Sequence, residues 1–155
     1  MTLAIGDIAP DFNLPASGGR TVSRDALKGK PFVLYFYPRA DTPGCTQEAC
    51  AFEEALPQLG ATGVTVIGVS KDKMKPIEKF AEKYNLTFPL ASDPETKTID
   101  AYGAWVEKSM YGKKYMGIER STVLVDAEGK IAKIWPKVKI AGHAAEVQQA
   151  VSELK

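Results

Sequence analysis

The sequence predicts an α/β fold: a central mixed sheet with helices on both faces. Three observations carry that reading. Short, nearly continuous apolar runs occur at 32–37, 64–69 and 122–125, as in strands covered on both faces. Segments with helical spacing lie between and after them. A strand, a Gly-containing loop and a second strand then follow one another between 122 and 135, which reads as a hairpin.

Each element can be justified in order. Residues 5–21 contain Pro10, Pro15 and Gly18-Gly19, and are expected to form a short hairpin or loop in front of the sheet. The run 32–37 is the first buried strand. Residues 42–59 look helical, with Pro57 expected to kink the helix or end it near Leu56. The run 64–69 is the second strand. Ile77, Phe80, Ala81 and Tyr84 then fall on one helical stripe, which Asn85 can stop. Residues 103–119 show no clear periodicity and read as a long connection, of the kind that tends to be functional or mobile. The hairpin 122–135 follows, with Asp126-Ala-Glu-Gly129 at its turn. Ala144, Val147, Ala150 and Val151 mark a last helix. Strands separated by helices imply right-handed crossovers. The order βαβ…ββα is that of a thioredoxin-like domain, here one domain over 1–155.

Composition narrows the function classes. The chain has 155 residues, 45% apolar and 25% charged, the profile of an ordinary soluble protein. Twenty basic residues against nineteen acidic ones leave a net charge of +1, with the signs interspersed. That leaves no electrostatic footprint for nucleic acid or an anionic membrane. No apolar run approaches a membrane span. Nothing at 1–10 reads as a secretory signal, so a cytoplasmic location is expected. In that compartment a cysteine pair is more often catalytic or metal-binding than a static staple.

The two cysteines, Cys45 and Cys50, follow the first strand, where a sheet of this kind presents chemistry. Thr42-Pro43 reads as a helix start, with Thr at the N-cap and Pro at the first helical position. Cys45 then lies in the first turn, where free N–H groups favour an anion and the thiolate is the nucleophile. The competing reading is a small buried hydrophobe. Cys50 is five residues on. In a regular helix the two Cα atoms are roughly 8–9 Å apart, beyond the roughly 7 Å that a disulfide spans. Either the pair never bonds, or the helix unwinds locally when it does.

These residues also carry a resemblance. Pro38-x-x-x-Thr42-x-x-Cys45 resembles the peroxiredoxin active-site motif, and Thr42-Pro-Gly-Cys-Thr-x-Glu-Ala-Cys50 is similar to the bacterioferritin comigratory protein, or peroxiredoxin Q, branch. The segment 117–126 with Arg120, Pro10-Asp-Phe12 and 88–94 also fit; Val123 stands where Phe is expected. The resemblance implies that Cys45 is the peroxidatic nucleophile and Cys50 its resolving partner in an intramolecular disulfide. Thr42 would hydrogen-bond the thiolate and the peroxide, Arg120 would stabilise developing charge, and Pro38 would shield the sulfur. Glu48 would orient Arg120. Hydrogen peroxide and organic hydroperoxides are the implied substrates, thioredoxin or a glutaredoxin the implied reductant, and a monomer or weak dimer the implied state. Slow resolution would let Cys45 over-oxidise to sulfinic acid. No bound cofactor is implied, because sulfur does the redox work.

Other features are read as structural. His143 with two cysteines lacks a zinc ligand set of the usual spacing, so no metal is expected. Trp105, Trp135, Met110 and Met116 are read as packing residues, and Gly18-Gly19 lacks a phosphate-loop context. Two further functions remain: a dithiol–disulfide exchanger without peroxidase activity, and a copper(I) carrier using Cys45, Cys50 and His143. The C-x-x-x-x-C spacing argues against both.

Overall fold

The computed structural model describes residues 3–154. The prolines and paired glycines near the N-terminus form an antiparallel hairpin, β1 (Asn13–Ala16) and β2 (Arg20–Ser23). Gly18 and Gly19 turn it at φ 77° and 70°, a region that glycine enters without steric cost. The hairpin is part of the sheet, because Ala16 of β1 pairs with Ala91 of a later strand.

The remaining elements are β3 (Phe32–Phe36), α1 (Pro43–Ala61), β4 (Thr65–Ser70), α2 (Met74–Lys83), β5 (Leu90–Ser92), α3 (Lys97–Ala101), β6 (Trp105–Met110), β7 (Lys113–Ile118), β8 (Ser121–Val125), β9 (Ile131–Trp135) and α4 (His143–Ser152). Seven strands form one sheet in the order β2-β1-β5-β4-β3-β8-β9. Strands β3, β4 and β5 run parallel, while β8 pairs antiparallel with β3 and β9 with β8. The sheet is mixed, as expected.

Alternation along β3 divides the core in two. Val33 and Tyr35 point to the side covered by α1, α2 and α4, where they meet Phe52, Phe80 and Val147. Phe32, Leu34 and Phe36 point to the other side, against Phe12, Ile99 and Tyr102. That second layer is α3 together with the N-terminal segment. One close approach fixes the β3–β4 contact: Gly68 lies opposite Tyr35, and a Cβ there would stand 2.7 Å from the ring. The ring is stacked on Phe52 at 4.7 Å and edge-on to Phe88, so it has nowhere to retreat.

Two expectations need correction. Residues 103–119 are not a structureless connection. They form an antiparallel hairpin, β6–β7, as a separate two-stranded sheet with register Met110↔Lys113 to Trp105↔Ile118. Tyr111 and Gly112 both take positive φ at its turn, which suits the twist of a two-residue hairpin loop. Pro57 does not end α1 near Leu56, since the helix continues to Ala61. Leu59, fully buried beyond the proline, anchors that last turn to the core, and this packing outweighs the lost N–H and the crowding at residue 53.

Candidate active site

The site is built where β3 gives way to α1. Pro38 and Ala40 lie half-buried in the loop between them. The Ala40 N–H donates to Asp72 Oδ2 at 2.7 Å, which ties the loop to the segment after β4. Thr42 is the N-cap residue and Pro43 opens the helix, as its missing N–H permits. The cap is not made by the side chain, however. The Thr42 hydroxyl donates to the Arg39 carbonyl at 2.8 Å, while the Thr42 carbonyl accepts the Thr46 N–H at 2.8 Å.

Cys45 follows in the first turn and is 2% exposed. Arg120 reaches it from the short link between β7 and β8. That link is held at both ends: Glu119 N–H donates to Ala104 O at 2.7 Å, and Val138 N–H donates to Arg120 O at 2.7 Å. Arg120 Nη2 then donates to Cys45 Sγ at 3.3 Å, and Nη1 to Glu48 Oε1 at 2.7 Å. Residues 45 and 120 thus meet across 75 positions of sequence. Gly44 leaves room for this approach, since a Cβ there would stand 3.4 Å from Arg120 Nη2 and 3.2 Å from Ile140 Cδ1.

The surroundings of the sulfur are unequal in charge. Glu48 is buried, and burial pushes its carboxyl up to about 7 against the pull of Arg120. Burial also holds the Tyr35 and Tyr37 phenols well above their usual range, so both are neutral. The permanent charge beside Sγ is therefore the guanidinium.

Both cysteines are free thiols on one unbroken helix, Cys45 buried and Cys50 half-buried. Burial raises the Cys50 thiol above its ordinary range, with Glu54 and Glu53 adding to the effect. The two sulfurs therefore differ: one faces a cationic donor at a helix start, and the other faces carboxylates five residues on.

His143 opens α4, is 2% exposed, and shares a 2.7 Å hydrogen bond with the Thr122 hydroxyl. It packs edge-on to Phe52 and Trp135. Trp105 lies under the Lys71 ammonium at 5.6 Å. Sequence reasoning missed Asp41, whose φ is +59° and whose carboxylate receives Lys83 Nζ and Tyr84 hydroxyl from the end of α2. Neither the spacing nor the residue types signal that contact.

A cysteine at a helix start beside an arginine, beyond the end of a sheet strand, is an arrangement suited to thiol chemistry of the peroxidase class. The model of the AhpC/TSA family matches residues 5–134, and the chain belongs to that family. Its relatives narrow the branch. A putative Bcp peroxiredoxin of Coxiella burnetii is 52% identical over 95% of this chain and 97% of its own length. The Bacillus subtilis peroxiredoxin Bcp is 46% identical over 99% of this chain and 98% of its own. The solved bacterioferritin comigratory protein of Xanthomonas campestris, studied for its alkyl peroxide reduction activity, is 41% identical with a TM-score of 0.87, covering 91% of this chain and 90% of that one. The chain is a peroxiredoxin of the Bcp, or peroxiredoxin Q, branch, and so an enzyme that spends a thiol on a peroxide. Among the described residues, no helix is long and apolar enough to cross a membrane.

Proposed function

We propose that this enzyme reduces hydrogen peroxide and alkyl hydroperoxides through Cys45, with Cys50 as the resolving thiol of the same chain. The observation that carries the reading is the 3.3 Å donation from Arg120 to the Cys45 sulfur at the start of α1.

The chemistry follows from that placement. The Cys45 thiolate attacks the terminal peroxide oxygen, the O–O bond breaks, and the departing alkoxide takes up a proton and leaves as an alcohol or water. The guanidinium and the N–H groups of the helix start are preorganised for the charge that develops. Thr42 offers its hydroxyl oxygen at the rim of the site, and Pro38 keeps bulk water from the loop side. Glu48 acts on Arg120, holding the fork in place.

Cys45 is then a sulfenic acid. Cys50 attacks its sulfur, water leaves, and a disulfide forms. On the intact helix the pair stands too far apart for this bond, so the first turn of α1 must open. A dithiol protein of the thioredoxin or glutaredoxin type reduces the product by thiol exchange. The cycle needs only one chain, in keeping with a monomer or weak dimer in a reducing cytoplasm.

The test is stopped-flow consumption of peroxide by the reduced protein and two variants. Wild type should react far faster than free cysteine. Cys45→Ser should be inactive, and Cys50→Ser should turn over once and stop as a sulfenic acid. A wild type no faster than free cysteine would overturn the peroxidase reading and turn attention to disulfide exchange, with copper(I) binding behind it.

A further inference from the structure

Opening the first turn of α1 requires the chain to bend where that turn joins the body of the protein. The joint is Asp41, immediately before the N-cap residue. Its φ of +59° is a left-handed conformation that non-glycine residues adopt at some cost, though Asp is among the more tolerant. Something must hold it there, and α2 supplies the grip. Lys83 Nζ donates to both carboxylate oxygens at 3.1 and 3.3 Å, and the Tyr84 hydroxyl donates to Oδ1 at 3.0 Å.

The grip is itself anchored. Lys83 lies over the Tyr84 ring at 5.3 Å. That ring sits edge-on to Phe80 at 5.6 Å, and Phe80, 1% exposed, packs on Tyr37 in the core. A continuous path therefore runs from the core through α2 to the residue on which the peroxidatic helix hangs. On the other side, Ala40 N–H is tied to Asp72. The loop is pinned at two neighbouring residues, one by a buried-side contact and one by an exposed, charged contact.

We propose that Asp41, Lys83 and Tyr84 form a latch that sets how fast the first turn of α1 unwinds after Cys45 is oxidised. These are positioning residues: they touch neither sulfur nor substrate. The inference rests on Cys45 and Cys50 forming the disulfide. In the step concerned, Cys45 sulfenic acid and the Cys50 thiol condense to a disulfide with loss of water. The latch governs the geometric precondition of that step and leaves the peroxide attack alone. A tight latch slows resolution, and so gives a second peroxide longer to carry Cys45 to sulfinic acid.

Because Asp41 and Lys83 are 43% and 58% exposed, the latch is open to screening by salt. Asp41→Asn tolerates the left-handed backbone, removes the charge and turns one of the two acceptor oxygens into an N–H donor. Tyr84→Phe keeps the ring packing and removes only the hydroxyl. The experiment is quenched-flow mixing of reduced enzyme with one equivalent of hydrogen peroxide, with sulfenic acid and disulfide counted by mass, at low and high salt. Both variants should oxidise at the wild-type rate. The sulfenic acid should convert to disulfide roughly three- to tenfold faster in Asp41→Asn, the factor expected for losing an exposed pair and its hydrogen bond. Salt should accelerate that conversion in wild type and leave it unchanged in Asp41→Asn, a difference that a general loosening of the fold would not produce. A disulfide formed at the wild-type rate in both variants, whatever the salt, overturns the latch alone. The lack of any Cys45–Cys50 disulfide in wild type overturns the resolving pair and the latch with it.

Discussion

Arg120 holds two acceptors at once, and the planar fork of the guanidinium makes that possible. Its Nη2 meets Cys45 Sγ while Nη1 meets the buried carboxylate of Glu48. A lysine carries the same charge on a single nitrogen and cannot span both. Arg120→Lys should therefore slow the peroxide step about 100-fold, the usual cost of losing one preorganised donor, as read by stopped-flow. A rate within about threefold of wild type would mean that charge alone suffices. At this scale the placement of Cys45 in the first turn of α1 and of Cys50 further along the same helix was legible in the sequence. Thr42-Pro43 located the helix start correctly. The direction of the Thr42 hydroxyl, toward the Arg39 carbonyl, was not legible, because several local acceptors compete for it. Arg120 was found through its surrounding motif, since no local rule joins positions 75 residues apart.

Helix α1 shows how elements override their own sequence signals. Pro57 removes a helical N–H, yet the helix runs on to Ala61. Pro57 itself is exposed, so nothing in the core requires its ring. Replacing it with alanine should stabilise the protein by about 1–3 kcal/mol, a rise of several degrees in thermal midpoint. An unchanged or lower midpoint would show that the break in the ladder is already relieved. Hairpin β6–β7 was hidden for the opposite reason. Strands are recognised by one buried face, and here Glu107, Ser109, Met110, Lys113, Lys114, Tyr115 and Met116 are exposed on both faces. Its turn is Tyr-Gly, without the Asn or Asp that signals such a loop. Strand β5 has only three residues, too short for any period. The long runs at β3, β4 and β8 were legible because both of their faces are covered, as was the stop at Asn85, which takes φ +54°.

At the scale of the whole molecule, Glu48 and His143, both buried, act on stability with opposite sign. Glu48 is raised from 4.5 to about 7, so the fold favours its protonated form, and that contribution is lost as pH rises across this interval. His143 is lowered from its ordinary 6.5, chiefly by burial, so the fold favours the neutral ring, and that contribution is lost as pH falls below 6.5. The two partly cancel in mildly acidic solution. Thermal midpoints measured from pH 5 to pH 8 should separate them. Relative to wild type, Glu48→Gln should lose stability more steeply on acidification, and His143→Gln less steeply. Parallel curves for all three proteins would show that neither group is titrating in this range.

The contact between Gly68 and Tyr35 limits how this chain can drift. A side chain at 68 has no space until the ring at 35 shrinks and Leu90 gives way, because its Cβ would stand 2.7 Å from that ring and 2.9 Å from Leu90 Cδ2. Shrinking the ring first opens a hole beside Phe52 and Phe88, at a cost of about 3–5 kcal/mol for the loss of a large aromatic. Either order passes through a weakened ancestor. The two positions are thus locked by history as well as by packing, and a lineage that escapes must change both at nearly the same time.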